Sequence, residues 1–231
     1  MSERIAWLDG WRGLVCWLML VYHLLFDLVM FGWMPYAALQ STPLYLLERF
    51  IAWSFILLAG VSAEFSHSNL RRGLITSAAG LLVTAVSYLV NAPIKFGVLQ
   101  FLGIAMLLYA AAGKYLRRIP GKIAVPLWIV LYQLGWLVQN RLTVSLPWLF
   151  WLGLHRADFV SYDYFPLLPY LFMFLLGACF GRWLKQNPDK IGAQLRVPAV
   201  LRAPGRHTLL IYLAHQPVLY GACMLIYLAI N

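Results

Sequence analysis

Apolar stretches long enough to cross a lipid bilayer recur from one end of this chain to the other, and that repetition leaves few folds open to it. A helix needs about 17–25 mostly apolar residues to span the hydrocarbon core. Seven segments qualify, at residues 13–33, 44–65, 73–90, 96–112, 122–139, 166–184 and 207–230. Of the 231 residues, 62% are hydrophobic and 11% charged. Soluble domains are about 45–50% apolar and about 25% charged, and a water-soluble fold of this size would leave the excess facing solvent. No Pro- or Ser-rich linker interrupts the series. The expectation is an all-α polytopic membrane helix bundle of about seven transmembrane helices, forming one domain over residues 1–231. A Trp-rich stretch at 145–154 is too short to span and is expected at the interface or as a re-entrant piece.

Charge gives the orientation. Arg4 and Arg12 precede the first span, Arg71 and Arg72 lie between the second and third, and Lys114, Arg117, Arg118 and Lys122 between the fourth and fifth. Arg182, Lys185, Lys190, Arg196, Arg202 and Arg206 lie between the sixth and seventh. The alternate connections hold no Lys or Arg in the first, Lys95 in the third, and Arg141 and Arg156 in the fifth. The positive-inside rule then places the N-terminus in the cytoplasm and the C-terminus outside. The net charge of +10 is thereby explained by membrane orientation, with no nucleic-acid partner. Cys16, Cys179 and Cys223 lie in separate apolar segments, so neither a disulfide framework nor a zinc site is expected. The N-terminal segment lacks the pattern of a cleaved signal.

Small residues mark close helix packing: the Gly177/Gly181 pair in the sixth span, and Ser77, Ala78, Ala79 and Gly80 in the third. Ionisable residues inside a span are costly and persist where they face a protein interior or a watered cavity. The first span concentrates them as Asp9, Arg12, His23 and Asp27. At 100° per residue, Arg12 and His23 differ by about 20° in azimuth, and Asp9, Cys16 and Asp27 fall within about 60° of Arg12. One helical face therefore carries the stripe. His23 and Asp27, four residues apart, are close enough to meet. A carboxylate beside an imidazole fixes its tautomer for base catalysis; hydrogen-bonded helix packing is the plainer role for the same groups.

Ten residues lie between Arg12 and His23 within LDGWRGLVCWLMLVYHLLFD. This resembles the Arg-x10-His signature of transmembrane acyltransferases. With FILLAGVSAEFS (55–66), FGVLQFLGIAMLL (96–108), SYDYFPLLP (161–169) and GRHTLLIYLAHQPVL (205–219), the chain is similar to bacterial members of the heparan-α-glucosaminide N-acetyltransferase catalytic-domain family. The resemblance implies a multi-pass enzyme of the bacterial inner (plasma) membrane. It would move an acyl group, acetyl in the first instance, from cytoplasmic acyl-CoA to a sugar amine or hydroxyl. No metal or prosthetic group is implied. Lipid bilayer, acyl-CoA and a sugar or glycoconjugate acceptor are the expected partners, with a homo-oligomer a further expectation. His23 is the expected base or acyl carrier, oriented by Asp27. Arg12 lies at the cytoplasmic mouth, where a guanidinium can hold phosphate bidentately, and His23 lies about 16 Å deeper by helix rise.

Further candidates are weighed against structural roles. Glu64 would be a second acid/base group, an acceptor contact or a partner for Arg12, or a solvated interfacial carboxylate. Arg71, Arg72 and Arg206 would contact CoA phosphates, or act as orientation charges. Gln100, Asp163, His215 and Gln216 would line the acceptor side; helix capping competes for Asp163, which precedes Pro166 by three residues. A kink is expected at Pro217. Glu48 and Arg49 read as an interfacial pair, and His155 and Arg156 as solvated residues. A small proton-coupled transporter and a non-catalytic assembly protein are the competing functions, since intramembrane His, Asp and Arg also mark ion pathways.

Overall fold

The computed structural model describes residues 5–187 and 197–230; Arg4, Lys190 and Arg196 of the charge alternation lie outside the described residues. Eight α-helices form among the described residues. They are α1 (Ala6–Met30), α2 (Thr42–Phe65), α3 (Asn69–Leu89), α4 (Val98–Leu116), α5 (Gly121–Arg141), α6 (Leu167–Gln186), α7 (Ala199–Arg206) and α8 (Thr208–Ile230). All but α7 are long and apolar enough to cross a membrane, giving the seven spans expected from hydropathy. The protein is an all-α, multi-pass membrane protein. The stretch expected not to span forms a short 3-10 helix, Pro147–Leu152, closed by Gly153 at φ 106°. One element departs from expectation: the eight-residue α7 falls where the sequence suggested only a charged connection. Helix α8 carries Pro217 inside a continuous run from Thr208 to Ile230.

The chain divides into two compact units. The first takes the described residues of Met1–Phe55 and Asp189–Asn231, the second Ile56–Pro188. Helix α2 begins in the first unit and ends in the second.

In the first unit, Val15 and Met19 of α1 pack with Ile51 of α2, and Leu18, Tyr22, Leu47, Phe55, Ile211 and Tyr212 surround them. Helix α7 lies directly on the start of α1. A methyl group on Gly13 would collide with the Leu201 backbone, and one on Gly205 with the Asp9 carbonyl. Backbone meets backbone here, which is what small residues permit between helices in lipid. Trp17 Nε1 donates to the Val200 carbonyl at 3.0 Å and fastens the other side of α7.

In the second unit the Gly177/Gly181 pair does what its spacing implied. Gly177 sits against the Leu57 backbone and Gly181 against Val61, bringing α6 onto the second half of α2. The small patch of α3 meets α4 likewise, with Gly80 against Gln100 and Gly103 against Ser77. Arg182 of α6 donates to the carbonyls of Arg117 (2.7 Å) and Ile119 (3.1 Å), satisfying acceptors that the end of α4 leaves open.

Candidate active site

The charged stripe of α1 is turned inward within the first unit. Asp9 is 5% exposed, and Cys16 and Asp27 are fully buried. At its N-terminal end, Asp9 Oδ1 accepts from Arg12 Nη1 at 2.6 Å, while Asp9 Oδ2 lies 3.8 Å from Arg206 Nε. Arg206 is the last residue of α7, so the approach of α7 to Gly13 and Asp9 carries this second guanidinium to the same carboxylate. One acid thus faces two permanent cations, the Arg206 side chain being 45% exposed and that of Arg12 22%.

Deeper along the stripe, His23 does not pair with Asp27. The His23 Nδ1 lies 2.9 Å from the Met19 carbonyl. A carbonyl only accepts, so Nδ1 carries the proton and Nε2 of the neutral ring keeps a lone pair. Asp27 Oδ1 instead accepts from Gln216 Nε2 of α8 at 2.7 Å. The expected i, i+4 contact is therefore replaced by two competitors: a backbone acceptor one turn back for the imidazole, and a side-chain amide from another helix for the carboxylate. What meets the His23 ring is His215, edge to face, with centroids 4.5 Å apart and an interplanar angle of 79°. His215 repeats the local arrangement, its Nδ1 lying 2.6 Å from the Tyr212 carbonyl.

Three buried atoms at this level have no hydrogen-bond partner: Asp27 Oδ2, His215 Nε2 and Gln216 Oε1. All three are acceptors in these tautomers. Buried polar atoms are normally satisfied, and a set of donor-less acceptors suits a group that brings N–H or O–H hydrogens.

Of the remaining candidates, Glu48 and Arg49 belong to the first unit and the others to the second. Glu64, expected as a solvated carboxylate or a partner for Arg12, is buried; it accepts from the Tyr109 hydroxyl at 2.5 Å and pairs with Arg117 at 3.4 Å. Helix α4 and the Arg117 that caps its end supply the two partners, which is why the group tolerates burial. Gln100 accepts from the Gly97 N–H at 2.6 Å and donates to Thr84 Oγ1 at 2.5 Å. Asp163 caps a helix, as its position suggested, but caps α4 and not α6: Oδ2 accepts from the Val98 N–H at 3.0 Å. Arg72 donates to the Ser62 carbonyl at 3.3 Å, and Arg71 is exposed on α3. Glu48 and Arg49 pair at 3.2 Å and Arg156 with Asp158 at 3.0 Å; His155 stacks on Phe159 at 5.2 Å. Outside the spans, Tyr164 donates to the Phe150 carbonyl at 2.5 Å, and burial, with Tyr170 beside it, raises its pKa. Among the described residues no group of three or more His, Cys, Asp or Glu could hold a metal ion.

Seven membrane-length helices, the first of them carrying an inward-facing stripe of Asp9, Arg12, His23 and Asp27, define a polytopic membrane protein. Residues 4–217 match the family described as heparan-alpha-glucosaminide N-acetyltransferase, catalytic, and the chain belongs to that family. No curated protein and no solved structure matches it. Tyr109, which bonds Glu64, and Asp9, which bonds Arg12, are partners of candidate residues that sequence reasoning did not single out as candidates themselves. Asp9 was legible as part of the stripe, whereas nothing in the sequence tied Tyr109 to Glu64.

Proposed function

We propose that the protein transfers an acyl group, acetyl in the first instance, from cytoplasmic acyl-CoA to a sugar amine or hydroxyl, with His23 as general base. Family membership supports the class of reaction, and one observation carries the residue: the Met19 carbonyl fixes the His23 proton on Nδ1 and leaves Nε2 able to accept. In the transfer, Nε2 takes the proton of the acceptor N–H or O–H as that atom attacks the thioester carbonyl. The carbon–sulfur bond then breaks, and the imidazolium returns the proton to the departing thiolate. If His23 is instead the acyl carrier, the same lone pair attacks first, and the acceptor displaces it in a second step.

Arg12 and Arg206 would hold the CoA phosphates, a role guanidinium groups fill by paired N–H donation. The distance of about 16 Å from Arg12 to His23 along α1 suits an extended pantetheine arm. His215 and Gln216 would meet the acceptor through Nε2 and Oε1, the atoms that lack donors. Asp27 takes a different part from the one its spacing suggested: through Gln216 it holds α8 in register with α1. The bacterial inner membrane is the proposed location.

The test is transfer from radiolabelled acetyl-CoA to glucosamine by purified protein in liposomes, compared with His23→Ala. Loss of about 100-fold or more in rate, the usual weight of a general base, with an unchanged melting temperature is expected. Retained transfer in the variant removes His23 from the mechanism. Absence of both transfer and acyl-CoA hydrolysis in the unmodified protein, with proton or solute flux in the same liposomes, replaces the enzyme by a transporter.

A further inference from the structure

The geometry points to Asp9 as a positioning residue that sets the spacing of a two-arginine phosphate clamp; this rests on the proposed reading that Arg12 and Arg206 bind the donor. A buried carboxylate beside a helix N-terminus is favoured by the helix dipole, so Asp9 in the first turn of α1 needs no ligand to be stable there. Its two oxygens are used unequally. Oδ1 makes a short charge-assisted bond to Arg12, whereas Oδ2 has no hydrogen bond and stands at ion-pair distance from Arg206.

The two arginines come from segments that only the fold brings together: Arg12 follows Asp9 by three residues on α1, and Arg206 ends α7. Both are long, flexible side chains, and holding two of them in one geometry costs rotamer entropy. A shared carboxylate bears that cost before any ligand arrives. Arg206 is half exposed, so its guanidinium can still meet an anion. The ligand class is a phosphate monoester or a pyrophosphate diester, and CoA, which carries both, is the instance tested.

Charge and positioning predict opposite signs, and this makes the idea testable. Removing the carboxylate raises the local charge and would tighten phosphate binding if electrostatic pull were all that mattered. If Asp9 positions the guanidiniums, its removal loosens binding. The experiment measures equilibrium binding of CoA and of phosphate-free pantetheine to the purified full-length protein, its Asp9→Asn and Asp9→Glu variants, and Arg12→Ala and Arg206→Ala. Asp9→Asn is expected to weaken CoA about tenfold, equivalent to about 1.4 kcal/mol, with pantetheine binding unchanged and Asp9→Glu recovering most of the loss. Tighter or unaltered CoA binding in Asp9→Asn overturns the positioning role. Equal weakening of CoA and pantetheine also overturns it, because a general loss of structure would act on both. If neither arginine variant alters CoA affinity, the donor-site reading itself fails, and that result is distinct from a failure of Asp9 alone.

Discussion

His23 of α1 and His215 of α8 are set edge to face at 4.5 Å, each with Nδ1 tied to a carbonyl of its own helix. Neither ring can turn without breaking a backbone hydrogen bond, and each blocks the other's rotation. The pair is therefore fixed by the register of two helices at opposite ends of the chain, and the register is in turn held by Asp27 and Gln216.

From this pairing follows a graded response at His215. Replacing it with Phe keeps an aromatic edge against His23 and removes Nε2; Ala removes both. An aromatic contact contributes about 0.5–1.5 kcal/mol beyond area burial. His215→Ala is expected to lower the melting temperature and acyl-transfer rate together, and His215→Phe to preserve stability while raising KM for the acceptor. Equal kinetics in the two variants would contradict a separate role for Nε2.

Close backbone approach makes a second prediction. Gly13→Ala and Gly205→Ala each force a methyl group into backbone across the α1–α7 contact, and overpacking of this kind costs about 1–3 kcal/mol. Gly221→Ala in α8 meets nothing within 4 Å and should be neutral or stabilising by up to about 1 kcal/mol, the helix-propensity gain. Thermal unfolding in detergent distinguishes the three. A destabilised Gly221→Ala or an unaffected Gly13→Ala would contradict the packing described.

For Asp163 the observed cap on α4 predicts a stability phenotype. Asp163→Ala removes the acceptor for the Val98 N–H at a cost of about 0.5–2 kcal/mol, whereas Asn is as good a cap and should be nearly silent. If Asp163→Asn instead raises acceptor KM while leaving the melting temperature alone, Asp163 touches substrate after all.

The buried carboxylate of Glu64 and the Tyr109 hydroxyl should be energetically coupled. A double-mutant cycle of Glu64→Gln and Tyr109→Phe is expected to return about 1.5–3 kcal/mol, the range for hydrogen bonds to charged groups. Arg117 adds little to this, because its side chain is 44% exposed and solvent screens the pair. Additive single effects would show that Glu64 is held by something else.

The membrane fold was legible because hydropathy is a property of each segment alone, and the inward face of α1 because 3.6-residue periodicity is local. The choice of partners was not. His23 and Asp27 were correctly placed on one face, yet each found a stronger competitor, Met19 carbonyl and Gln216, that spacing within α1 does not reveal. Asp163 read as a cap from its place before Pro166, but which helix it caps depends on how the 142–166 connection folds back to Gly97. Helix α7 escaped notice for a simpler reason: it is eight residues long, contains Pro204 and carries Arg202 and Arg206, which together resemble a loop.

The first unit joins α1 and the start of α2 to α7 and α8, which lie more than a hundred residues further along the chain. Synthesis proceeds from the N-terminus, so α1 leaves the ribosome long before α7 and α8 exist. Asp9 and Arg12 must wait for Arg206, and His23 for His215, through the insertion of every intervening span. The site proposed around His23 therefore cannot form before α7 and α8 are made, and a nascent chain stalled ahead of them would hold a membrane anchor with no chemistry.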